Sequence, residues 1–213
     1  MTPRLHRPLD RSPSTPRSSA YRGAAALVVV AVAFQVGLAP ARAAPEPKAA
    51  DREVAVLAGG CFWGMQEILR KIPGVLETEV GYTGGWLANP RYDDTHDSKS
   101  GHAESVRIVF DPRRLSYEDL LEKWFFRMHD PTTANRQGND VGTQYRSAIF
   151  YQDEKQREIA EAVKARAAAS GRWKGKKITT EIAKAGTWYK AEDHHQDYLQ
   201  KHPGGYTCHY LRN

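Results

Sequence analysis

Two cysteines and one acid in an apolar strand are the side chains of this sequence best suited to chemistry. Cys61 lies in Gly60-Cys61-Phe62-Trp63-Gly64, after the apolar run 54–58 and before Phe62, Met65, Ile68, Leu69 and Ile72, which are spaced as one face of a helix. The sulfur is therefore expected where a strand turns into a helix, facing first-turn N–H groups that have no partner and the positive end of the macrodipole. That placement favours the thiolate by about 0.3–1 kcal/mol, less than one pKa unit for a thiol starting near ~8.5. A helix start alone does not make a strong nucleophile, so help is expected from substrate or from other residues. Gly59 and Gly60 allow the backbone to turn tightly beside the sulfur.

Each candidate also has a structural reading. Cys61 could be a buried core cysteine, but its glycine and aromatic neighbours at a helix start favour a reactive thiol. Cys208, in a glycine-flanked tail, fits either a permanent disulfide with Cys61 or a resolving thiol that visits it. Glu104 interrupts an apolar strand after Gly101-His102-Ala103. On a solvated face it would be unremarked; in a pocket, desolvation and a neighbouring thiolate would raise its pKa and keep it a proton donor. Tyr82, Tyr92 and Tyr145 suit core or edge positions, and Asp140 suits a turn in a Gly/Asn-rich loop. His194-His195 beside Glu192 and Asp193 resembles a metal cluster, yet neighbours on a helix point about 100° apart, so no metal site is expected. CxxC, phosphate-loop, Ser/His/Asp and dinucleotide patterns are all missing.

The elements that must position these groups follow from pattern. The 213 residues carry a formal charge of +6, but residues 1–43 hold six arginines against Asp10, a net +5 that leaves +1 for the remainder. The basic character therefore belongs to the N-terminus, and a nucleic-acid partner is not indicated. Residues 1–43 combine an arginine-rich lead, an apolar stretch at 24–34 and the small-residue site Ala41-Arg42-Ala43. They read as a secretory signal peptide, too short in its apolar part for the ~20 residues of a membrane span. Export to a periplasm or beyond is expected, without a stable membrane anchor. Residues 44–52 read as a linker and 53–213 as the folded domain. Strands are predicted at 54–58, 75–82, 102–111, 145–151 and 177–183. Helices are predicted after Cys61, after the Ser116 cap through Met128, after the Asp153 cap to about Ser170, and from about Glu192 to Lys201. The polar stretches 86–101 and 132–142 read as loops. Several connections are too short for parallel crossovers, which points to an α+β two-layer sandwich: a mixed, mainly antiparallel sheet covered by helices, ferredoxin-like.

The motifs GCFWG at 60–64, GYTGG at 81–85, HAESVRIVFDP at 102–112, HDPTT at 129–133, RQGNDVGTQYRSAIFY at 136–151 and AEDHHQDYL at 191–199 resemble, in order, those of the peptide methionine sulfoxide reductase A family, which acts on the S epimer. The likeness runs from about Val54 to Tyr210. It implies that Cys61 is the nucleophile, attacking the sulfoxide sulfur and becoming a sulfenic acid as methionine leaves. It also implies that Phe62 and Trp63 wall the substrate methyl group and that Glu104 hydrogen-bonds the sulfoxide oxygen and supplies a proton. Tyr92 and Tyr145 would share that task, and Asp140 would hold the substrate backbone. On this reading Glu104 belongs to a pocket. A sulfoxide oxygen leaves poorly until protonated, so a neutral acid beside the thiol suits the reaction and lessens the demand on the thiol's own pKa.

Cys208 in GGYTCHYLR resembles the resolving cysteine of two-cysteine members. It would condense with the sulfenic acid, and a thioredoxin-like protein would reduce the resulting Cys61–Cys208 disulfide. No bound cofactor is implied, and the chain is expected to act as a monomer on oxidised proteins or free methionine sulfoxide. Two departures stand out. Gln66, followed by Glu67, occupies a position where the family often has glutamate, and no third cysteine is present to relay the disulfide. The reductant must reach the Cys61–Cys208 bond itself. A thiol peroxidase and a disulfide-stapled binding module are the competing classes. The first would oxidise Cys61 faster with hydrogen peroxide than with a sulfoxide, and the second would lose no thiols to substrate.

Overall fold

The computed structural model describes residues 52–212, so the expected signal peptide and nearly all of the linker lie outside the described residues. The strands are β1 (Glu53–Gly59), β2 (Val75–Thr83), β3 (Ala103–Phe110), β4 (Arg136–Gln137), β5 (Asp140–Val141), β6 (Ser147–Tyr151), β7 (Glu181–Lys184) and β8 (Tyr189–Lys190). The main sheet has the order β7-β6-β1-β3-β2-β8, antiparallel throughout except for the β6–β7 pair, while β4 and β5 form a separate ribbon. Helix α5 (Glu154–Ala169) is the crossover that the one parallel pair requires.

β1 sits at the centre because both of its faces are apolar. Ala55 and Leu57 belong to the large core with Phe62, Met65, Leu120, Phe125, Ala160 and Val163, whereas Val56 and Ala58 pack with Ala103, Ala148 and Phe150 on the opposite face. The core helices cover one face of the sheet, giving the expected α+β sandwich. Helix α1 (Phe62–Leu69) buries Phe62, Met65 and Leu69, and Gly74, at φ +103°, turns the chain into β2.

Several elements differ from expectation, each for a local reason. Residues 86–101 are not all loop: α2 (Tyr92–His96) forms there, with Asp94 accepting from the Arg91 N–H at 2.9 Å. Ser116 caps its helix as predicted, but the helix is divided into α3 (Tyr117–Asp119), a π-helical stretch Leu120–Phe125 and α4 (Phe126–Met128). The wider turn lets Leu120, Leu121 and Phe125 all be buried. The strand expected at 177–183 pairs only from Glu181, because Ala148 is its first partner in β6; before that, Thr179 N–H bonds instead to Pro131 O at 2.7 Å. The helix expected from Glu192 reduces to α6 (Tyr198–Lys201). Asp197, at φ +56°, breaks it, and Gln196 turns inward to bond the Val80 N–H and C=O at 2.9 Å each.

Candidate active site

Cys61 occupies the N-cap position of α1, at the end of β1, as its spacing predicts. Its side chain makes no capping hydrogen bond and is buried. Burial pushes the thiol up strongly and the nearby Glu104 adds to this, while the Trp63 N–H of the first turn pulls only weakly the other way. The preference for thiolate expected from the helix start is therefore reversed. A sulfur removed from water loses more by desolvation than a helix terminus returns.

Glu104 is 2% exposed and accepts from the Phe62 N–H, the next amide after the cysteine, at 3.1 Å. Desolvation raises it to about 8 despite that bond, with Asp140 adding to the rise, so it is a neutral acid at pH 7. The β-period explains its position: Glu104 has the parity of Val106, Ile108 and Phe110 in β3, all in the helix-covered core, and lies opposite Tyr82 of β2. The solvated alternative is thereby excluded.

Tyr92 begins α2 and Tyr145 ends the 3₁₀ turn Thr143–Tyr145 before β6. Burial and then the charge of Glu104 raise both phenols, Tyr92 to about 12, so both are protonated donors beside the acid. Glu192, which sequence reasoning viewed only within a possible metal cluster, ties this wall together. Its two oxygens accept from Tyr82 Oη and from the Tyr92 N–H, each at 3.0 Å. His195 is likewise committed, its Nδ1 accepting from Trp63 Nε1 at 3.1 Å. Trp63 is stacked on Tyr198 with centroids 3.7 Å apart, and Phe62, 1% exposed, packs against Tyr82 and His195. Among the described residues no group of three His, Cys, Asp or Glu side chains is placed to hold a metal ion.

Asp140 and Cys208 meet at the open side. The ribbon β4–β5 turns at Gly138 and Asn139 and presents Asp140, whose Oδ2 accepts from the Cys208 thiol at 3.3 Å. Both cysteines are free thiols. Cys208 is raised to about 12 by burial and by Asp140, and the Cys61 N–H partly offsets this, which places the second sulfur beside the first cysteine's backbone. The tail is pinned in place. His209 Nε2 bonds Gly59 O at 2.8 Å, and a Cβ at Gly64 would collide with Thr207 Oγ1 and lie 2.7 Å from His209 Nδ1. His129 of the HDPTT motif is structural: its ring nitrogens bond Phe125 O and Ser147 Oγ, and its ring lies against Gly59. Tyr206 and His209 were not singled out from sequence; the only signal was their closeness to Cys208.

A buried thiol, a neutral acid at the adjoining amide and a second thiol reaching in from the tail come together on an α+β sandwich. The chain belongs to the peptide methionine sulfoxide reductase family, whose pattern matches residues 53–213. It is 59% identical over 160 residues to the peptide methionine sulfoxide reductase MsrA of Leifsonia xyli subsp. xyli, covering 75% of this chain and 91% of that protein. Among solved structures it is similar to reduced Mxr1 of Saccharomyces cerevisiae, with TM-score 0.73, 34% identity, and coverage of 78% of this chain and 95% of that one. It also resembles methionine sulfoxide reductase A of Corynebacterium diphtheriae, with TM-score 0.63, 39% identity, and coverage of 74% and 78% respectively.

Proposed function

We propose that this protein reduces methionine S-sulfoxide, free or within oxidised proteins, to methionine, using Cys61 as nucleophile and Cys208 as resolving thiol. The observation that carries the reading is the neutral Glu104, raised to about 8 and bonded to the amide beside Cys61. In the first step Glu104 protonates the sulfoxide oxygen as Cys61 Sγ attacks; the oxygen passes to Cys61 as a sulfenic acid, methionine departs, and the thiol proton replaces the one Glu104 gave. Tyr92 and Tyr145 donate to the same oxygen, and the ring of Trp63 borders the methyl group. Plain methionine would leave these buried donors unpaired, which is why the oxidised form is selected. Cys208 then displaces hydroxide from the sulfenic acid, giving the disulfide and water. A thioredoxin-like dithiol reduces it from outside, since the sequence holds only two cysteines.

The test is thioredoxin-coupled NADPH oxidation with the separate S and R epimers. Turnover of the S epimer alone, lost in Cys61→Ser, is expected; equal use of both epimers, or full activity without that sulfur, would sink the reading.

Export is part of the same proposal. Residues 1–43 form the signal peptide and 44–52 the linker, supported by the arginine-rich lead, the apolar stretch 24–34 and Ala41-Arg42-Ala43. An oxidising compartment would oppose regeneration, so a reductant fed from the inner membrane is part of this proposal. N-terminal sequencing of protein from a periplasmic fraction should begin at Ala44, and retention of Met1 there would refute cleavage. Turnover in periplasmic extract should rise when membranes are added; equal rates would count against the membrane-fed reductant.

A further inference from the structure

The tail at 206–209 is held by more polar contacts than a passive chain end requires. Tyr206 Oη donates to Asp140 Oδ1 at 3.0 Å and the Cys208 thiol to Oδ2 at 3.3 Å, so each carboxylate oxygen is engaged by the tail. Gly138, in the turn before Asp140, leaves room for this approach, since a Cβ there would lie 3.2 Å from that of Cys208. On the other side His209 Nε2 bonds Gly59 O at 2.8 Å. A carbonyl can only accept, so the imidazole proton sits on Nε2 and the lone pair of Nδ1 faces Cys208 Sγ at 3.5 Å. The thiol thus meets two acceptors. Asp140 Oδ2 is the nearer, at 3.3 Å, and burial drives the His209 imidazole down to about 4, so that it stays neutral.

Building on the proposed function, we propose that Asp140 is the base that takes the Cys208 proton when the disulfide forms, and that Tyr206 positions its carboxylate for that transfer. Family resemblance assigns Asp140 to the substrate, yet in the dithiol state its oxygens are occupied by the resolving arm, so it serves the two steps in turn. As the Cys208 Sγ–Cys61 Sγ bond forms, the S–O bond of the sulfenic acid breaks. The Cys208 proton passes to Asp140 Oδ2, the Glu104 proton joins the departing hydroxide to make water, and the two carboxyl groups re-equilibrate with solvent. Thiol and sulfenic acid become disulfide and water, with no further oxidant or reductant. A resting thiol would not give its proton to a carboxylate. Once its lone pair enters the new S–S bond the S–H becomes strongly acidic, and a weak base in contact suffices.

The experiment forms the Cys61 sulfenic acid with hydrogen peroxide, bypassing sulfoxide binding, and follows disulfide formation by quenching with dimedone and mass analysis. Asp140→Asn should slow the step about 100-fold and make its rate climb roughly tenfold per pH unit between about pH 6 and 8, because only preformed thiolate then reacts. Asp140→Glu should restore a flat profile. Tyr206→Phe, at a partly exposed position where folding is not at issue, should slow the step about tenfold. Wild-type rates in Tyr206→Phe, or a flat pH profile in Asp140→Asn, overturn the proposal. Absence of sulfoxide reduction by the wild type would instead count against the proposed function alone.

Discussion

The two thiols sit close together and are held by opposite means. Cys61 is fixed by backbone, at the junction of β1 and α1, sealed in a core, with a neutral acid as its partner. Cys208 is on an extended tail without regular secondary structure, placed by the side chains of Asp140 and His209 and touching a carboxylate. The difference fits the two reactions proposed for them. Removing oxygen from a sulfoxide requires a proton to be delivered, which a desolvated carboxyl can do. Making a disulfide requires a proton to be removed, and the second sulfur must then be open to a reductant.

The hardest break of this contrast is to exchange each sulfur. Cys61→Ser should abolish methionine release, by at least ~10⁴-fold, whereas Cys208→Ser should still release one methionine per enzyme and then stop with thioredoxin as donor. Quenched-flow measurement of the first turnover distinguishes them, and a surviving burst in Cys61→Ser would refute the assignment. Next in size, Glu104→Gln should lower the first-turnover rate by ~10²–10⁴-fold. In the wild type that rate should be flat at low pH and fall about tenfold per unit above a midpoint near 8, since the carboxyl must be protonated and the Cys61 thiol lies too high to titrate there. A rate that rises through this range would show thiolate formation, not the acid, to be limiting.

Stability offers a further check. The folded-state pKa of Glu104 lies above its unfolded value of ~4.3, so the unfolded chain loses its proton first, and folding stability falls as pH rises from there to about 8. Glu104→Gln should therefore raise the melting temperature more at pH 8 than at pH 5; a difference of opposite sign would place the carboxylate in a charged, solvated setting. The smallest expected effect comes from Gly64→Ala. Its Cβ would press on Thr207 and His209, a crowding worth ~1–3 kcal/mol that the tail relieves by shifting. The first turnover should be nearly kept while disulfide formation slows several-fold. Equal slowing of both steps would mean that the tail and the helix start are one unit.

Periodicity and caps made most of this fold legible. The apolar run before Cys61, the alternation in β3, Ser116 and Asp153 as caps, and the glycines at turns each act within a few residues, where local sterics and hydrogen bonding decide. The two-residue strands β4, β5 and β8 were not legible, because so short a segment carries no period. Glu104 was readable only in part: the strand pattern left a solvated face and a pocket equally open, and the choice fell to the family resemblance and then to burial in the assembled core. Glu192 could not be found from its neighbours, since its partners Tyr82 and Tyr92 lie 110 and 100 residues away.

Chain order alone determined which groups could react: one cysteine at a strand-to-helix turn, one on a tail, and an acid in an apolar strand. Their protonation was settled only by the assembled core. Burial is a property of what packs around a group, and it outweighed the local pull of the helix start on Cys61 and made Glu104 an acid at neutral pH. Likewise, nothing adjacent in sequence joins Asp140 to Cys208, 68 positions apart; the ribbon and the tail meet because glycines at 60, 64 and 138 leave the room.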